Sequence, residues 1–192
     1  MDTLVSSPSP SVAPARSVPA TLRKLYFVRF AFAVVWAGLV FATADSLGPV
    51  SMTLLVVYPL FDVAAAIVDI RSAKANGGKA PALYVNIAIS SLAALGLAFA
   101  VTSGIPDVLR IWGAWAVASG LVQLVAGAVR RSLGGQWPMI ISGAISVLAG
   151  SSFIAQAGSG EPTLVNLAGY AFLGGVFFLV SALRLNRARH SG

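Results

Sequence analysis

The stretch Val108–Val129, VLRIWGAWAVASGLVQLVAGAV, contains one charged side chain, Arg110, and no proline. A hydrocarbon core about 30 Å thick is crossed by roughly 20 mostly apolar residues, and lipid offers no partner to a backbone N–H or C=O. Such a run must satisfy its own backbone and is therefore a helix. Five more runs resemble it: Leu25–Ala44, Val50–Ile70, Pro81–Thr102, Pro138–Ala157 and Leu164–Leu185, separated by short polar breaks. The 192 residues are 57% hydrophobic and 10% charged, whereas a soluble domain keeps its surface wet with about a quarter charged residues. The expected fold class is an all-α membrane protein with six transmembrane helices.

Outside the spans the composition changes. Residues 1–20 end in SSPSPSVAPARSVPA, which has too few large apolar groups to offset the entropy of ordering them. They are expected to form a disordered cytoplasmic tail before a transmembrane domain at 21–186 and a short basic tail at 187–192. Ala42-Thr43-Ala44 imitates a signal-peptidase site. The preceding run, Leu25–Ala44, is longer than an h-region of about 7–15 residues, so the first span is expected to stay attached.

Orientation follows from Lys and Arg, which remain on the cytoplasmic side of short loops. Arg16, Arg23 and Lys24, then Arg71, Lys74 and Lys79, then Arg130 and Arg131, then Arg184, Arg187 and Arg189 all fall on one side, and Arg110 alone on the other. Both termini are expected inside. Tyr26 and Trp137 are expected at the cytoplasmic interface and Trp112 near the outer one. The net charge of +7 is explained by these loops, so no nucleic-acid partner is expected; the partner is the lipid bilayer.

The runs repeat one another. Odd-numbered helices share Gly-x-x-Phe at Gly38/Phe41, Gly96/Phe99 and Gly150/Phe153, and Trp115-Ala116 to Gly120 and Leu124-Val125 matches Tyr170-Ala171 to Gly175 and Leu179-Val180. Copies recur at an offset of about 54–58 residues, which points to a helical hairpin present three times. Helices in lipid associate by close approach over small residues. Gly113, Gly120 and Gly127 fall seven apart on the fourth helix and Gly143 and Gly150 on the fifth. With Gly38, Gly96 and Gly175 they are the candidate packing glycines, and such faces suit a homo-oligomer.

On these residues, most visibly Trp112-Gly113-Ala114-Trp115 through Gly120-Leu121-Val122-Gln123-Leu124 and Gln136-Trp137 to Gly150, the chain resembles the short-repeat family that includes the HdeD-type acid-resistance membrane proteins of bacteria. The resemblance covers roughly Tyr26 to Leu185. It implies a bacterial inner-membrane location and a link to acid or envelope stress, and it carries no catalytic or ligand residues with it. The first hairpin, with Arg29, Tyr58-Pro59 and Asp62, is the least typical part.

Chemistry is sparse. Cysteine is absent and the single histidine, His190, lies in the C-terminal tail. That leaves no intramembrane base for a serine nucleophile, no paired carboxylates deep in a span, and no His or Cys set for zinc or iron. Neither enzyme activity, metal nor cofactor is expected. A polar layer remains. At about 1.5 Å per residue, Arg29 lies roughly 6 Å inside the cytoplasmic end of its span, Asp62 roughly 12 Å, Asn86 roughly 8 Å, Gln123 roughly 9 Å and Ser142 roughly 6 Å. All five fall in the inner half of the bilayer, and Arg29 is expected to pair with Asp62 because an unpaired mid-span charge costs about 2.5–3.5 kcal/mol. The layer reads as a helix-bridging cluster in a non-enzymatic protein or, alternatively, as the path of a small transporter or proton- or ion-conducting protein whose cargo the sequence does not name.

Overall fold

The computed structural model describes residues 18–75, 77–129, 131–133 and 136–187. Of the tails expected at 1–20 and 187–192, residues 1–17 and 188–192, with Arg16, Arg189 and His190, lie outside the described residues, as does Arg130, whereas 18–20 and 187 belong to the first and last helices. Six long helices follow one another: α1 Val18–Ala42, α2 Pro49–Lys74, α3 Pro81–Ser103, α4 Ile105–Val129, α5 Trp137–Gln156 and α6 Val165–Arg187, with a single 3-10 turn at Arg131–Leu133. All six are long and apolar enough to cross a membrane. The chain is thus a multi-pass helical bundle.

Local chemistry explains where the helices begin. Pro49 and Pro81 are the first residues of α2 and α3, and Pro106 and Pro138 the second residues of α4 and α5. Proline suits a first turn because its fixed φ is already helical and its missing N–H has no partner there. Before α2, Ser51 Oγ accepts the Gly48 N–H at 2.9 Å and faces the Ser46 carbonyl at 3.0 Å, closing the turn from α1. Between α3 and α4 there is one linking residue, Gly104, with φ at +118°, a conformation that L side chains rarely adopt. The first helix starts at Val18, seven residues before Leu25, and α2 runs on to Lys74 rather than Ile70. Charged side chains continue a helix past the apolar run that marks its span, so helix ends and span ends differ.

The helices form a ring in chain order, with α6 packed back on α1. The seams differ in extent: α4/α5 and α6/α1 are the largest, α2/α3 and α3/α4 are intermediate and similar, α1/α2 is slimmer and α5/α6 the slimmest. Glycine accounts for the tightest of them. A Cβ on Gly113 would lie 2.6 Å from the Gly150 carbonyl oxygen, and one on Gly120 2.7 Å from that of Gly143. Backbone touches backbone at two levels of an antiparallel pair. Gly127 sits against Ile140, Gly175 against Ala33 and Phe30 of α1, and Gly96 against the Ile111 side chain. Gly38 makes none of these approaches: nothing lies within 4 Å of its missing Cβ and it faces outward. Its expected packing role is corrected to a place on the outer face, where Phe41 and Phe99 also lie, whereas Phe153 is buried.

Side chains fill the axis of the ring. Trp36 of α1 stacks on Trp112 of α4 with centroids 5.1 Å apart, Tyr58 of α2 lies 4.7 Å from Trp36 and 5.5 Å from Trp112, and Trp115 meets Trp112 edge-on at 5.2 Å. Trp112 is therefore a fully buried core residue and not the interfacial belt residue expected from its position in the run. Trp137, in contrast, is exposed.

Candidate intramembrane polar site

Three helices supply the site. Arg29 stands on α1, eight residues into the span that begins at Thr21, and Asp62 is near the middle of α2, three residues beyond Pro59. Asn86 and Ser90 sit one turn apart on α3. Arg29 Nη1 meets Asp62 Oδ1 at 3.0 Å. The other carboxylate oxygen, Oδ2, accepts Asn86 Nδ2 at 2.6 Å and Ser90 Oγ at 2.8 Å. Ser90 Oγ in turn accepts the Trp115 indole N–H at 3.1 Å, which carries the network to α4. Both oxygens of Asp62 are satisfied, and four helices are tied to one side chain.

Arg29 has further neighbours. Its Nη2 lies 3.8 Å from Asp69 Oδ2, and its guanidinium carbon sits 4.9 Å from the centre of the Phe178 ring on α6. A cation over an aromatic face is worth about 2 kcal/mol once desolvated. Arg29 is 9% exposed, so it turns inward to carboxylates and a ring instead of extending to the headgroups. Its Nε–H has no hydrogen-bond partner.

Of the five residues singled out from sequence, Arg29, Asp62 and Asn86 come together. Gln123 and Ser142 do not join them: both are partly buried, at the same end of the bundle, and no hydrogen bond described among these residues reaches the Asp62 carboxylate from either. Gln123 lies three helical turns from Trp112 on one face of α4, below the aromatic cluster. Ser142 is one turn from Ser146, whose hydroxyl accepts that of Tyr170 on α6 at 2.8 Å. Depth alone grouped these two with the cluster; lateral position in the ring separates them.

Three participants escaped the sequence reading. Ser90 carried a signal, since it follows Asn86 at i+4 and shares its face. Asp69 adjoins the end of the apolar run at Ile70, but α2 continues to Lys74 and leaves Asp69 within reach of Arg29. Trp115 looked like one more aromatic in a span. A neighbouring device is local to Pro59, which has no N–H for the Leu55 carbonyl and crowds the preceding turn. The Trp36 indole donates to the Leu54 carbonyl in that turn at 2.7 Å. That bond ties α1 to the backbone of α2 next to the carbonyl that Pro59 leaves without its donor.

The arrangement pairs and neutralises charge. It holds no group of three or more His, Cys, Asp or Glu side chains suited to a metal among the described residues. Concavities lined by Ala42 to Ser51, at the α1–α2 turn, lie at the opposite end of α1 from Arg29. Compared with protein-family models, curated proteins and solved structures, the chain matches none.

Proposed function

We propose that this is a non-enzymatic multi-pass protein of the bacterial inner membrane, with both termini cytoplasmic, that acts in acid or envelope stress in the manner its resemblance to HdeD-type proteins implies. Three hairpin repeats build the ring, and the Asp62 network is the tie that holds the atypical first hairpin to the second. One observation carries this reading: the partly buried Asp62 carboxylate has a partner on each oxygen, from two neighbouring helices, so its bonding capacity is used inside the protein. Intramembrane hydrogen bonds of this kind are commonly structural, at about 0.6 kcal/mol each. The test is survival of a deletion strain held at acid pH and then returned to neutral medium. Survival should fall on deletion and recover with the wild-type gene; equal survival of parent and deletion strains would remove the stress role.

A second reading, a small transporter or proton- or ion-conducting protein, is favoured by one feature. Asp62 and Asp69 keep 18% and 15% of their side-chain surface exposed although they face other helices. Charges inside spans mark pathways where water reaches them.

A further inference from the structure

The seams of the ring differ in chemistry as well as extent. Where packing is closest, at α4/α5 and α6/α1, small residues let backbones touch. Polar groups bridge the remaining seams: Arg29 to Asp62 across α1/α2, Asn86 and Ser90 to Asp62 across α2/α3, Trp115 to Ser90 across α3/α4, and Tyr170 to Ser146 across α5/α6. The last stands apart. Of the seams between consecutive helices α5/α6 is much the slimmest, yet each of its helices is anchored elsewhere, α5 on α4 through paired glycines and α6 on α1. Separating α5 from α6 therefore leaves both major interfaces untouched.

What joins them sits in the half of the bundle nearer the α5–α6 turn. Tyr170 is five residues into α6, its ring packs edge-on against Phe153 at 5.7 Å, and its hydroxyl donates to Ser146. Beyond Ser146, toward the start of α5, the positions one and two turns on are Ser142 and Met139, neither of them buried. Further along α6 from Tyr170, Phe177 and Ser181 are likewise only partly buried. In the α4/α5 and α6/α1 seams buried groups such as Gly120, Gly143 and Ala33 meet the neighbouring helix.

We infer that the α5/α6 seam is a lateral gate, latched by the Tyr170–Ser146 hydrogen bond, through which the interior of the bundle opens toward lipid. Among the described residues the polar tie across this seam is that one hydrogen bond, beside the ring contact of Tyr170 with the buried Phe153, whereas the glycine-packed α4/α5 pair is held by backbone in direct contact. This inference does not depend on the proposed stress role, since it concerns the motion of two helices.

The natural absence of cysteine makes the test direct. A thiol placed at Ser142 (Ser142→Cys) reports opening by its rate of reaction with N-ethylmaleimide in bilayer nanodiscs, and Ala66→Cys, at a fully buried site on α2, reports general loosening. Tyr170→Phe keeps the ring and removes the hydroxyl. It should raise the rate at position 142 about threefold, the change expected for losing one intramembrane hydrogen bond, and leave the rate at position 66 unchanged. Ser146→Ala removes the same bond from the other side and should reproduce the effect without adding to it in combination. Unchanged rates at 142 in either folded variant, or equal increases at 142 and 66, would overturn the gate.

Discussion

Asp62 is the residue around which the interior is organised, and Arg29 is the partner it depends on most, because an unpaired charge in a span costs several kcal/mol whereas an amide does not. Arg29→Gln leaves Asp62 and Asp69 without their cation, and Asp62→Asn leaves Arg29 with one carboxylate, the more distant Asp69, beside the Phe178 ring. Each single change should lower thermal stability in detergent. The double change should recover part of the loss, with a coupling of about 1–3 kcal/mol in a double-mutant cycle; strictly additive losses would mean that the contact carries no energy of its own. At this scale the sequence was partly legible. A charge and a countercharge in adjacent spans at similar depth announce themselves, because lipid leaves them few alternatives. The hydroxyl of Ser90 and the indole of Trp115 do not, since serine and tryptophan serve equally well on an outer face. Trp112 shows the same ambiguity in reverse: proximity to a span end suggested the interface, while its stacking on Trp36 and Tyr58 draws it into the axis.

At the scale of helices the glycines divide by what surrounds them. Gly120→Leu drives a side chain into the Gly143 carbonyl, Ser146 and Val147, so α4 and α5 must separate. Overpacking a fitted seam costs about 1–3 kcal/mol or more. Folded yield and melting temperature should fall sharply for Gly120→Leu and little for Ala118→Leu, which is outside the glycine row, or for Gly38→Ala, which meets open space; equal tolerance of Gly120→Leu would show that close approach is dispensable. Heptad spacing placed Gly113, Gly120, Gly127, Gly143 and Gly150 on shared faces from the sequence alone, because every seventh residue returns to nearly the same side of a helix. A glycine without that register, such as Gly38, gave no such information. Helix existence was legible for a related reason, as apolar runs of this length have one solution in lipid, whereas the extra turn that carries Asp69 was hidden by charged residues beyond the run.

At the scale of the whole molecule, six helices close a ring whose axis carries aromatic rings in one part and the Arg29–Asp62 network in the other. Ring order and the unequal extent of the seams were not legible, because which neighbour a helix prefers depends on both surfaces and the sequence displays one at a time. The central claim is that the network ties helices together and does not conduct. Proton flux into proteoliposomes under an imposed pH gradient tests it most directly. The account predicts that vesicles containing the wild-type protein leak no faster than protein-free vesicles of the same lipid. Flux well above that background, abolished by Asp62→Asn in protein that is still folded, would contradict it.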